Sequence, residues 1–125
     1  MQRIMLKAKI RGGTITGAML HYEGSVAIDE QLMKAADILP GEQVHVLNVA
    51  NGSRLVTYAI PAPAGSGMIE LRGAAAREGE AGDEIILLTY AQVEEAEIRS
   101  FRSKRIRVDQ RNRICRRTGR GNRTG

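Results

Sequence analysis

His21-Tyr22-Glu23-Gly24-Ser25-Val26-Ala27-Ile28-Asp29 is the stretch on which the reading of this chain turns. Its second half is a short apolar run that reads as a strand. Asp29, directly after it, is a credible N-cap for a short helix over residues 30–36, because its carboxylate can accept from the free amides of a first turn. The Gly24-Ser25 pair in the middle has two readings. It can be a turn, since Gly tolerates unusual backbone angles and Ser hydrogen-bonds locally. It can also do backbone chemistry, since a hydroxyl held against the preceding carbonyl carbon can attack it, and Gly offers least resistance to the distortion.

Working outward, residues 3–10 alternate with period two: Ile4, Leu6, Ala8 and Ile10 fall on one face and Arg3, Met5, Lys7 and Lys9 on the other. Gly12-Gly13 punctuates this strand, and Thr14-Ile15-Thr16 reads as a second one leading to Met19 and Leu20. After Asp29, the helix buries Leu32, Met33 and Ala36, and Pro40-Gly41 prevents its continuation. Residues 43–49 and 54–60 are strand-like, joined by Asn51-Gly52 as a two-residue hairpin turn. Pro61, Pro63, Gly65 and Gly67 mark a loop, 68–71 a short strand, and 84–90 a strand buried on both sides. Residues 93–99 suit a short amphipathic helix, and 106–108 an edge strand. Many short strands, one or two short helices and no helix-strand alternation predict a compact, mainly β barrel.

A chain of 125 residues is one domain with room for a real core, and with 3% aromatic residues and no Trp that core must be aliphatic. Oligomerisation would be a plausible aid to its stability. No apolar run is long enough to span a membrane, and Arg3, Lys7 and Lys9 interrupt the N-terminus too early for a signal peptide, so a soluble, cytoplasmic protein is expected. The single Cys115 has no disulfide partner, and no His pair has metal-ligand spacing, so no metal site is expected. The net charge of +5 is unevenly spread. Residues 1–98 carry 8 Lys and Arg against 13 Asp and Glu, a balance of −5, whereas residues 99–125 carry 11 against 1, a balance of +10. The basic character belongs to the C-terminal segment, and 109–125 reads as a disordered tail following a domain of residues 1–108. Clustered Arg attracts phosphate, but the absence of aromatic residues there argues against nucleic acid as a partner.

The string around Gly24-Ser25 resembles the self-cleavage site of the pyruvoyl-dependent aspartate 1-decarboxylase (aspartate alpha-decarboxylase) family. Lys9, the Asn51-Gly52 turn, Arg54, Thr57, Tyr58 and the run Gly73-Ala74-Ala75-Ala76 follow in the order and spacing of that family, over roughly the first hundred residues. The resemblance implies a six-stranded double-psi β-barrel assembled as a homotetramer. It implies cleavage between Gly24 and Ser25 into a short β chain and a longer α chain, with Ser25 becoming a covalent pyruvoyl group. It further implies conversion of L-aspartate to β-alanine and CO2, at the entry to pantothenate and coenzyme A synthesis. A maturation factor is a further possible partner.

The residue types suit that chemistry. Decarboxylating an α-amino acid leaves an electron pair that no ordinary side chain accepts, whereas a carbonyl forming a Schiff base with the substrate amine does. No phosphate-binding loop for a pyridoxal-type cofactor is recognisable. Arg54 offers a bidentate fork and Lys9 a point charge for the substrate carboxylates. Tyr58 is four residues beyond Arg54 and shares its strand face, and the resemblance makes it the proton donor. Thr57 resembles a residue that touches both the maturing carbonyl and the substrate, yet it falls on the opposite face from Tyr58. A local bulge, or a site shared between subunits, would reconcile the two. Gly73, Ala74 and Ala75 would let a ligand approach the backbone closely.

The chain departs from the family pattern at Arg11-Gly12, where His-Arg is common, and at Arg72, where asparagine is. A long cation beside a buried hydrogen-bond network must be solvated or paired, so Arg72 bears on how well the chain matures. The readings from other classes are a non-enzymatic β-barrel binding protein, nucleic-acid-associated through its Arg-rich tail, and a family relative that folds but matures poorly.

Overall fold

The structure is a computed structural model that describes residues 1–118. Nine strands are present among the described residues: β1 (Gln2–Thr14), β2 (Gly17–Met19), β3 (Ser25–Asp29), β4 (Gln43–Asn48), β5 (Arg54–Ala62), β6 (Ile69–Arg72), β7 (Glu84–Glu94), β8 (Lys104–Val108) and β9 (Ile114–Thr118). They are hydrogen-bonded in the order β2-β6-β3-β5-β4-β7-β1-β8-β9, with one α-helix, α1 (Glu30–Ala36), and 3-10 turns at Gly73–Glu78 and Glu95–Glu97. The fold is mainly β. Among the described residues no helix is long and apolar enough to cross a membrane.

Strand β3 lies at the centre of one half, antiparallel to β6 and parallel to β5, and all five of its residues are buried. Its last residue, Asp29, caps α1 by accepting from the Gln31 amide at 2.8 Å, as the sequence predicts. The same carboxylate accepts from the amides of Gly65 (3.1 Å) and Gly67 (2.8 Å), so one buried charge fixes the helix and the 63–67 loop together. Helix α1 buries Leu32, Met33 and Ala36, but it stops before Pro40-Gly41: Asp37 takes the left-handed conformation (φ 57) and closes the last turn.

Strand β1 departs from simple alternation. Its register against β7 shifts between Leu6 and Ala8, so Leu6 pairs with Tyr90 and Ala8 with Thr89. One extra residue, Lys7, reverses the facing of everything before it. Ala8 and Ile10 therefore point into the core, whereas Ile4 is exposed; the four do not share one face. Lys7 is held by the Glu42 carboxylate at 2.6 Å and the Asp37 carbonyl. A second shift spans Gly12, whose φ of 83 and close approach to the Val108 carbonyl suit a residue with no side chain, so β1 passes through Gly12-Gly13 instead of ending there. The second strand starts later than expected, at Gly17: Thr14 still belongs to β1, Ile15 bonds to Asp83 and Thr16 to Ile69.

The β4–β5 connection is a five-residue loop, 49–53, and not a two-residue hairpin. Leu47 pairs with Arg54, the Asn48 side chain accepts from the amides of Ala50 and Asn51, and Gly52 has a positive φ (75) while Asn51 does not. Strand β5 continues through Pro61, since the pairing with β4 ends at Tyr58 and the missing amide disrupts no bond there. The helix expected over residues 93–99 is instead the end of β7 and a 3-10 turn, because residues 91–94 pair with residues 2–5 of β1. Strand β8 is not an edge: it runs parallel to β1 and antiparallel to β9. The segment from residue 109 is thus not an unpacked tail as far as residue 118. Asn112, buried and left-handed (φ 61), donates to the carbonyls of Thr14 (2.9 Å) and Gly67 (2.7 Å) and accepts from the Thr14 amide (2.8 Å). The remainder of the predicted tail, 119–125, lies outside the described residues.

Candidate active site

The register divides the predicted site residues between two faces. Ile10, Leu87, Val46 and Leu55 form an inward row across β1, β7, β4 and β5. The neighbouring outward row is Lys9, Leu88, His45 and Val56, and Arg54 and Tyr58 flank Val56 on the same side of β5. Lys9, Arg54 and Tyr58 therefore share one outer face. Thr57 faces inward, paired with Val44, and β5 pairs with both neighbours without a register shift, so no bulge turns it round.

Arg54 lines an open groove of about 540 Å³ together with Ile4, Gln43, His45 and Tyr90. Its guanidinium donates to the Tyr90 hydroxyl at 3.1 Å, and His45 meets the Tyr90 ring edge-on, centroids 5.0 Å apart. Partial burial, and then the neighbouring Arg54 charge, hold the His45 imidazole below its ordinary pKa, favouring the neutral ring. Ile4, His45 and Tyr90 were not legible as site residues. Ile4 reaches the groove only because of the bulge at Lys7, and His45 and Tyr90 only through the β4–β7 register.

Ser25 and its neighbours occupy the other half of the molecule. Ser25 opens β3 and is 1% exposed, opposite Arg72 of β6, and its hydroxyl donates to the Glu23 carbonyl at 3.4 Å. The parallel pairing of β3 with β5 starts at Val26 and Ala59, so Ser25 and Tyr58 are the residues immediately before that pair on adjacent strands. Gly73, at φ 67, packs against the chain just before Ser25: a Cβ there would sit 2.6 Å from the Gly24 Cα, 2.6 Å from the Gly24 nitrogen and 2.7 Å from the Tyr22 carbonyl oxygen. Gly73 and Ala75 are buried in the 3-10 turn, whereas Ala74 is exposed.

Arg72 is neither bare nor simply solvated. Its Nε donates to Glu70 Oε1 at 2.7 Å, and its guanidinium carbon lies 4.6 Å from the centroid of the Tyr22 ring. The pairing that a long cation needs at this position is supplied from its own strand, two residues earlier. Within one chain the Arg54 groove is lined by neither Ser25 nor Gly73, so the predicted residues fall into two clusters.

The fold is that of a small, mainly β protein, and its relatives are enzymes. The chain belongs to the aspartate decarboxylase family, whose model matches residues 1–115. It is 61% identical over 113 residues to the aspartate 1-decarboxylase of Syntrophobacter fumaroxidans, covering 90% of this chain and 91% of that protein. It is 54% identical over 114 residues to that of Acaryochloris marina (91% and 87% covered) and 53% identical over 113 residues to that of Trichormus variabilis (90% and 89% covered). The match runs seven residues beyond residue 108, through Asn112 and into the start of β9.

Proposed function

We propose that this chain decarboxylates L-aspartate to β-alanine and CO2, in the supply of pantothenate and coenzyme A, using a pyruvoyl group made from its own Ser25. The packing of Gly73 on Gly24 beside a buried Ser25 carries the reading, because it leaves room for nothing but backbone at the bond to be cut. In maturation Ser25 Oγ adds to the Gly24 carbonyl carbon and the Gly24-Ser25 C–N bond breaks, leaving an ester and a free amine. Loss of the Ser25 Cα proton then expels Gly24 as a carboxylate, and water replaces the nitrogen, released as ammonia, with a carbonyl oxygen.

That carbonyl supplies the electron sink that decarboxylation requires. The chain's own residues bind and protonate. Arg54, lining its groove, grips one substrate carboxylate as a bidentate fork, and Lys9 on the same face adds a second positive charge. Tyr58, which like Ser25 immediately precedes the first β3–β5 pair, delivers the proton that completes β-alanine. Thr57 holds the scissile carbonyl from the inner face, and Gly73, Ala74 and Ala75 provide a wall without bulky side chains.

Two clusters within one chain fit a site completed between subunits, and we assign a homotetramer of six-stranded double-psi barrels, in which three of the nine strands are additions to the barrel. The parallel pairs β3·β5 and β1·β8 support this topology, and the exposed Ile4, Val56 and Tyr58 on the Arg54 face support assembly. We take the folded domain to run to at least residue 118, with a cytoplasmic location. Intact-mass measurement of purified protein should give fragments 1–24 and 25–125, light scattering a tetramer, and a β-alanine assay turnover. A chain that stays whole after prolonged incubation would refute the cofactor, and a cleaved chain without turnover would refute the substrate.

A further inference from the structure

The self-cleavage reading leaves open what holds the exposed side of the scissile bond. On the Ser25 side the chain is locked into β3, buried and bonded on both edges. On the Gly24 side residues 20–24 are exposed and belong to no helix or strand. Thr57 and Gly73 bear on Gly24 itself, but attack on its carbonyl also needs the segment leading into it held still relative to Ser25 Oγ, so a further restraint is required on residues 20–23.

We infer that Arg72 is the positioning residue that supplies it, by clamping the Tyr22 ring. Glu70 and Arg72 are two residues apart on β6 and share its face, and as Ser25 pairs with Arg72 across the sheet, Ser25 and Arg72 side chains leave the same face. Glu70 stands against Gly17 of β2, where a Cβ would come within 3.0 Å of its carboxylate. The carboxylate fixes the Arg72 guanidinium, both side chains being less than a fifth exposed, and the guanidinium lies on a ring that is 54% exposed. Tyr22 is held through its ring by Arg72, and its carbonyl oxygen lies 2.7 Å from where a Cβ on Gly73 would sit, two residues before the bond that breaks. Removing the charge or the ring frees residues 21–24 without disturbing β3.

The inference rests on self-cleavage at Gly24-Ser25, and the test separates the two. Cleavage of the parent chain, Arg72→Ala, Tyr22→Leu, Tyr22→Phe and the Arg72→Ala/Tyr22→Leu double variant is followed by denaturing gel and intact mass. A cation on an aromatic face predicts cleavage slowed about tenfold in Arg72→Ala and in Tyr22→Leu, near-parent rates in Tyr22→Phe, and a double variant no slower than its slower parent. Parent-like cleavage in Arg72→Ala, or Tyr22→Phe as slow as Tyr22→Leu, overturns the clamp. Should Arg72→Ala fold poorly, the exposed Tyr22 pair decides alone. A second readout does not depend on cleavage: in a Ser25→Ala background, Arg72→Ala should speed hydrogen exchange at residues 21–24 and leave β3 protected. Unchanged exchange overturns the clamp. Faster exchange alongside a parent chain that never cuts upholds it as a restraint on this segment and removes only the self-cleavage reading.

Discussion

Gly73 carries the most information of any single residue. Its left-handed φ and its contact with Gly24 mean that any side chain must displace the backbone of residues 22–24. Gly73→Ala is expected to lose about 1–3 kcal/mol of stability and to abolish or severely slow cleavage, read by chemical denaturation and intact mass. His45 gives a pH dependence. Its folded pKa is depressed by burial and then by Arg54, so as pH falls below about 6.5 the unfolded chain takes up the proton first and stability declines. Unfolding free energies at pH 7.5 and 5.5 should therefore differ more in the parent than in His45→Gln. The sequence named Gly73 and Arg54 but gave no weight to His45, because its partner Tyr90 lies forty-five residues away and meets it only through sheet register.

At the scale of elements, Asp29 joins the strand that bears Ser25 to helix α1 and to the 63–67 loop through three backbone donors. Asp29→Ala leaves the three amides, that of Gly67 buried, without this acceptor, and a loss of about 1–3 kcal/mol is expected in urea titration, with slower cleavage because the end of β3 loosens. The cap and the buried stripe of α1 were legible because both are local rules of spacing. Elements settled by distant partners were not. Residues 93–99 have a helical pattern, yet the β1 pairing reaches to Glu94 and takes the first two of them into the sheet. The bulge at Lys7 has no local signal either, since the alternation of residues 3–10 is unbroken; Lys7 meets Glu42 and Asp37 only in the folded chain.

For the molecule as a whole, the unexpected contribution is that of the C-terminal segment. Asn112 ties β1 to the 63–67 loop, and β9 covers β8, so a chain ending at Val108 should melt several degrees lower than the full chain and cleave more slowly. An equal melting temperature would show that the domain ends where its apolar residues thin out. Sequence by itself determined the mainly β class, the cap and stripe of α1, and the family, through the residues flanking Gly24-Ser25 and the ordered series from Lys9 to Ala76. Those are matters of local period, local hydrogen bonding and residue identity. Only the tertiary structure decided that Lys9, Arg54 and Tyr58 share an outer face while Thr57 does not, that Arg72 finds its counter-charge in Glu70 and its platform in Tyr22, and that residues 109–118 belong to the fold. The reason is physical: facing in a sheet depends on register and bulges, and a polar segment is ordered when distant backbone groups need the partners it carries.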